Sequence, residues 1–362
     1  MLMDHKIEAV SFGLMRTRYP RLHGKNAKRG MHGYGDDFRA VALRTDQGAE
    51  GFGYCPRGSL PDIVGKPVSE LFDPSLGVLD MQYAGYDFAL HDLAGKILGI
   101  SVAKMLNPAA KPFAKVYDGA IYMNDVIPEH PDWGAARVIQ EAVDDYGIGH
   151  RTFKIKIGRG NMWMDPEAGM ARDVAVTRGI EAALPGCLLM VDGNDGFTPA
   201  SMIEYLRRVD CPLYWIEEPF REAEADNRIL RDYLDRERPN TLIADGESRP
   251  DIAQLLSLGE MKLVNVLQPD VVGYGFTAWR RLLPECEKRG ILASPHAWGD
   301  VIKTQYCAHM AAAYPHIIPY VEAVLGTTEG VVDADYHLVN GTMTVPDRPG
   351  FGLDLEWLRP EA

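Results

Sequence analysis

The hydrophobic pattern of this chain changes twice along its length. Up to about residue 112, apolar and polar positions alternate in KIEAVSF and again in FRAVALRTDQGAEGFGY. A period of two predicts antiparallel strands, here joined by a turn at Asp46–Gly48. YAGYDFALHDLAGKILG then has helical spacing, with Gly99 placed to end the helix in a left-handed cap. From about Ala114 to about Leu325 the rhythm is different. Short apolar runs (FKIKIG, CLLMVDGN, LYWIEEP, TLIADGES, NVLQPD, ILASPH and IIPYVE) recur with room for one helix between neighbours. That rhythm predicts an α/β fold in which parallel strands close into a barrel. The tail, VVDADYHLVNGTMTVPDRPGFGL, returns to short strands and turns. We read residues 1–112 as an α+β capping domain with a lid loop, 113–325 as the barrel, and 326–362 as a segment returning to the cap.

Nearly every barrel run ends on an ionisable residue. Lys156, Asp192, Glu217, Glu247, Asp270, His296 and Glu322 close successive runs, and active sites of parallel barrels lie at the strand C-termini. Three carboxylates beside a lysine and a histidine suggest a divalent cation with bases around it. Strand alternation sharpens the assignment. Lys154 and Lys156 share one face of TFKIKIG, while Phe153, Ile155 and Ile157 share the other. If the apolar trio packs on helices, both lysines point into the barrel. Asp192 and Asn194 share a face at the mouth. Glu217 and Glu218 must face opposite ways, so only one of them can be a ligand, and the other is expected to cap the next helix or to pair with a cation. A carboxylate at Asp270 behind His296 would fix the tautomer of the imidazole and raise its basicity. Gly273-Tyr-Gly275-Phe-Thr-Ala278 resembles a dinucleotide fingerprint but lacks the acidic partner and the flanking half-fold, so it reads as a loop and helix start after Asp270.

Composition narrows the partners. The net charge of −13 over 362 residues argues against nucleic acid or an anionic membrane. Five scattered cysteines without CxxC spacing fit reduced thiols better than a disulfide framework or a zinc site. No segment has the length of apolar sequence that a membrane span needs, and the N-terminus lacks a signal-peptide core. A cytoplasmic protein is expected.

KIKIG, VDGN, WIEEP, DGES, QPD and SPHAWGD, in this order and spacing, resemble the mandelate racemase subgroup of the enolase superfamily. The helix AGYDFALHDLAGKILGISVAKML and the tail VPDRPGFGL resemble its cap elements, so the likeness covers nearly the whole chain. The resemblance implies a modified TIM barrel, (β/α)7β, with an α+β cap. It implies Mg2+ held by Asp192, Glu217 and Glu247, with Lys156 as the base on one face of a carboxylate substrate. His296 with Asp270 would serve the other face. Lys154 and a protonated Glu322 would contact the substrate carboxylate, Asn194 would lie near metal and substrate, and the protein would be a homo-oligomer acting on a small-molecule carboxylate. The shared first step in such enzymes is removal of the proton alpha to a carboxylate, with stabilisation of an enediolate. In this setting the Lys154 ammonium and the metal are expected to depress the pKa of Lys156.

The product is less constrained. Dehydration of an aldonate or aldarate to a 2-keto-3-deoxy acid is the expected reaction, with racemisation or epimerisation of a 2-hydroxy acid as the alternative and a non-catalytic acid-sugar binding protein as a third reading. The segment MRTRYPRLHGKNAKRGMH is cationic in an otherwise acidic chain and occupies the place of the family's mobile lid. Arg18, Arg21 and His23 are its candidate substrate contacts, suited to a hydroxylated or dicarboxylic acid.

Overall fold

The fold is that of a computed structural model describing residues 2–248 and 250–361. Three strands, β1 (Ile7–His23), β2 (Gly33–Thr45) and β3 (Glu50–Tyr54), form an antiparallel sheet. Helix α1 (Asp87–Leu98) lies against it and ends at Gly99, whose φ of 69° is the left-handed cap. Gly51 permits the close approach, because a Cβ there would stand 2.5 Å from the Leu93 backbone nitrogen. Apolar side chains from both layers, among them Val41, Leu43, Leu90 and Leu93, make a core separate from that of the barrel.

Eight parallel strands follow, with a helical connection between each pair. They are β4 (Phe113–Ile121), α2 (Ala135–Ile148), β5 (Thr152–Lys156), α3 (Pro166–Ala183), β6 (Leu188–Asp192), α4 (Pro199–Val209), β7 (Trp215–Glu217) and α5 (Glu224–Glu237). The series continues with β8 (Leu242–Asp245), α6 (Ile252–Glu260), β9 (Val266–Leu267), α7 (Phe276–Arg289), β10 (Leu292–Ala293), α8 (Val301–Ala313) and β11 (Val321–Ala323). Strands β4 to β10 pair in chain order, and β11 pairs with β4. At the remaining seam the Ala293 N–H donates to the Ile317 carbonyl at 2.9 Å and the Ser294 hydroxyl to that of Tyr320 at 3.0 Å. This is a TIM-type (β/α)7β barrel with a capping unit. Strand β12 (Thr327–Thr328) then pairs with β1, so the chain returns to the cap sheet after the barrel.

Alternation along the strands sorts the side chains. Phe153, Ile155, Leu189, Val191 and Ile216 join the core between strands and helices. Tyr117, Met190, Trp215, Ala244 and Val266 fill the barrel interior. The register sets Lys156 beside Asp192 and Asp192 beside Glu217, one row at the C-terminal ends of β5, β6 and β7. Lys154 stands one layer lower, level with Met190. No helix among the described residues is long and apolar enough to cross a membrane.

Candidate active site

The row at the barrel mouth gathers three acids. Asp192 and Glu217 end β6 and β7. Glu247 lies two residues past β8, beyond Gly246, whose φ of 114° turns the chain at the mouth. One oxygen from each of the three carboxylates falls within 4.8 Å of the others. Burial pushes Glu217 up to about 7 against the pull of Lys154, and the nearby Asp192 charge adds to it. Glu247 Oε2 is buried without a hydrogen-bond partner among the described residues. Crowded, buried, oxygen-only donors are the set a hard divalent ion takes, and they fit Mg2+.

Cations approach this triad from one side. Lys154, fully buried, reaches Glu217 Oε1 at 2.5 Å and Glu322 Oε1 at 2.8 Å. Lys156 pairs with Asp192 Oδ2. Burial and Lys154 oppose the Lys156 ammonium, but Asp192, Glu247 and Glu217 together outweigh them and the net shift is upward.

His296 enters from another side. Its Nε2 stands 3.5 Å from Glu247 Oε1 and 3.7 Å from Glu322 Oε2, while its Nδ1 is 2.8 Å from Asp270 Oδ2. Asp270 accepts only, so the Nδ1 proton belongs to this bond and Nε2 faces the mouth. The other oxygen of Asp270 caps the short turn after it, accepting from the backbone N–H groups of Val272 at 3.1 Å and Gly273 at 2.7 Å. The glycine-containing segment after Asp270 is thus the loop and helix start read from the sequence, and it is closed by the acid that orients His296.

A model of the enolase C-terminal domain-like family matches residues 134–358. The chain belongs to this family. Among curated proteins, D-galactarolactone cycloisomerase of Agrobacterium fabrum is 26% identical over 288 residues, covering 75% of this chain and 71% of the relative. D-xylonate dehydratase of Haloferax volcanii is 26% identical over 285 residues, covering 75% and 67%. The galacturonate dehydratase of a Geobacillus species, solved with D-galacturonate and 5-keto-4-deoxy-D-galacturonate, has 29% identity and a TM-score of 0.88 over 98% of this chain and 95% of that one. A mandelate racemase/muconate lactonizing protein of Geobacillus sp. Y412MC10, solved with magnesium and tartrate, gives 29% and 0.89, with coverage of 98% and 93%. The Mg2+ in such neighbours agrees with the donor set of this chain.

Several sequence expectations need correction. Glu218 neither caps α5, which has no side-chain cap, nor forms an ion pair among the described residues. It follows the last residue of β7 with a φ of 37°, so strand alternation has already ended. Its buried carboxyl turns back towards Asn194 Nδ2, at 3.5 Å. Glu322, expected as a protonated acid, sits against the Lys154 ammonium. Burial disfavours its charge, but Lys154 overrides this and brings the pKa down to about 2. The candidate lid contacts also lie elsewhere. β1 runs on to His23, so Arg18, Arg21 and His23 belong to a strand. Arg18 pairs with Glu329 at the surface. Arg21 grips both oxygens of the buried Asp145. His23 is buried among Tyr19, Tyr122 and Trp298. The loop over the mouth starts after them and is tied to the barrel by Asn161 and Trp163, whose side chains donate to the Ala27 and Asn26 carbonyls at 2.8 and 2.6 Å.

Sequence reading also missed neighbours of the site. Gln268 donates to Glu217 Oε2 at 2.8 Å, and its place two residues before Asp270 on the same run was the available signal. Lys303 Nζ lies 2.9 Å from Asp270 Oδ2. It comes from α8, and no local pattern pointed to it.

Proposed function

We propose that this protein removes the proton alpha to a carboxylate with the help of Mg2+ on Asp192, Glu217 and Glu247, and that the reaction is dehydration of an acid sugar to a 2-keto-3-deoxy acid. The observation that carries the reading is the pair of proton carriers on different triad members, Lys156 at Asp192 and the Asp270-oriented His296 at Glu247.

A carbon acid beside a carboxylate is weak because its loss of a proton places a second negative charge on the same group. Mg2+ bound to the triad supplies positive charge next to that carboxylate. Lys154 adds a fixed ammonium at the same end, already desolvated and therefore effective where charge develops. Lys156 takes the proton once it is neutral, a state that burial and Lys154 favour and the charges of Asp192, Glu247 and Glu217 oppose. His296 Nε2 then hands a proton to the departing hydroxyl, and Asp270 and Lys303 hold the ring in place. Glu322, which accepts from the Ala297 backbone N–H at 2.9 Å, keeps the loop carrying His296 against the strand ends.

Support for acid sugars comes from the relatives, which include D-xylonate dehydratase and galacturonate dehydratase. They also include cycloisomerases, so the product has to be tested. Purified protein with Mg2+ is incubated with a panel of aldonates, aldarates and uronates, and 2-keto acid is measured. Formation of keto acid that stops in excess EDTA is the expected result. Isomerised product without keto acid from any member would replace dehydration by racemisation or ring opening. Saturable binding with no turnover of any kind would leave a binding protein.

A further inference from the structure

We propose that Tyr122 and His32 form a hydroxyl-reading subsite on the Lys156 side of the mouth, selecting acids that carry a hydroxyl next to or beyond the reacting carbon. The inference rests on the triad as the carboxylate end of the pocket and adds to it the means of choosing among acids.

Tyr122 directly follows β4, the first barrel strand. Its ring is 1% exposed and lies 5.2 Å from Lys156 Nζ. Burial and neighbouring charges act on its hydroxyl, with no hydrogen bond among them. Burial, reinforced by the charges of Glu322, Glu247 and Asp192, keeps that hydroxyl protonated, so it is a standing donor. His32 comes from the loop over the mouth, and its ring centroid is 4.6 Å from that of Tyr122. Its Nδ1 is 2.8 Å from the Gly24 carbonyl, which can only accept, so Nδ1 carries the hydrogen. Burial holds the ring neutral. Nε2 is then a bare acceptor, the Gly24 bond being the one hydrogen bond that acts on the ring. The approach of Lys156 sets Tyr122 at the mouth, and His32 lies against Tyr122. Trp298, 4.6 Å from Tyr122 and 6.1 Å from His32, packs against the two.

One donor beside one acceptor is the complement of an alcohol, which accepts with its oxygen and donates with its hydrogen. A methylene in the same place would leave this donor and this acceptor unpaired by the ligand, and a site built this way rejects the analogue lacking the hydroxyl. The loop thus delivers half of the subsite and the barrel the other half.

The test compares tartrate with succinate, which lacks both hydroxyls, each enantiomer of tartrate titrated calorimetrically into protein with Mg2+. Wild type should prefer tartrate by about tenfold or more. Tyr122→Phe keeps the ring and deletes the donor. His32→Asn can keep a bond to Gly24 and deletes Nε2. Each should reduce the preference to less than about threefold while succinate affinity moves by less than about twofold, and the double variant should lose little more. A preference that survives both substitutions, or equal weakening of both acids, would overturn the subsite, as would a wild type that binds both equally. Should tartrate be preferred yet no acid be dehydrated, the reaction proposed above fails and the subsite stands. Binding of neither acid would overturn both.

Discussion

Glu217 and Glu218 are neighbours with opposite assignments, and the difference lies in one backbone angle. Alternation holds through Glu217, the end of β7, and fails at Glu218, where φ is 37°. Burial and the Glu247 charge push the Glu218 carboxyl well above its ordinary range, so it is neutral. Glu217→Gln should therefore weaken Mg2+ binding by more than about tenfold, while Glu218→Gln, which resembles the protonated acid, should change it by less than about threefold. Calorimetric titration of Mg2+ decides; the reverse order would move the ligand to Glu218. The triad itself was legible in sequence because each acid closes an apolar run. The state of Glu322 was not, since it depends on an ammonium from a strand far away in the chain, at 2.8 Å. Tyr122 was missed for a simpler reason: an uncharged residue at the end of AKVYDGAIY attracts no notice until its ring is seen beside Lys156.

At the scale of elements, β1 differs most from its sequence reading. The basic stretch looked like a loop because its charges break the apolar alternation after KIEAVSF. The strand persists because those charges are paired from other elements. Arg21, with 15% of its side chain exposed, meets Asp145 of α2, whose side chain is fully buried, across the gap between cap and barrel. Burial and the Asp118 charge push the Asp145 carboxyl up to about 8 even so, and breaking the pair leaves it buried without its donor. Arg21→Met should cost roughly 3–5 kcal/mol of stability, read as a lowered denaturation midpoint. Arg18→Met, at an exposed pair, should leave the midpoint nearly unchanged. Equal small effects would return Arg21 to the role of a mobile substrate contact. The strand–helix rhythm of the barrel was readable throughout, because buried parallel strands are near-continuous apolar runs. The two-residue strands β9 and β10 could be placed only by the acids and histidine that follow them.

Cap and barrel together bury several histidines in the neutral form. Burial lowers His23 to about 3, and His150 and His309 to about 4. His309 shows the cost of protonation most clearly, because its Nδ1 accepts from the Ala103 backbone N–H at 3.0 Å and would lose that bond. These groups are neutral in the fold and take up protons in the unfolded chain below about 6.5. The unfolded state then binds more protons, so stability falls as pH drops from about 6.5 towards 4, by at most about 1.4 kcal/mol per unit for each histidine. Thermal midpoints measured across that range should decline steeply, and His309→Gln, which removes one titrating group, should flatten the slope. A midpoint independent of pH there would contradict neutral burial of these rings.

The central claim is that Lys156 and His296 divide the work of one dehydration, and deuterium exchange tests it most directly. An acid sugar found to be turned over is incubated in deuterated water with Mg2+ and followed by proton NMR. Wild type should yield the 2-keto-3-deoxy acid. His296→Asn should form no keto acid while the α-proton of the substrate still exchanges, and Lys156→Ala should do neither. Steady production of the opposite stereoisomer by wild type, without keto acid, would contradict the account and make the two groups equivalent bases of a racemase.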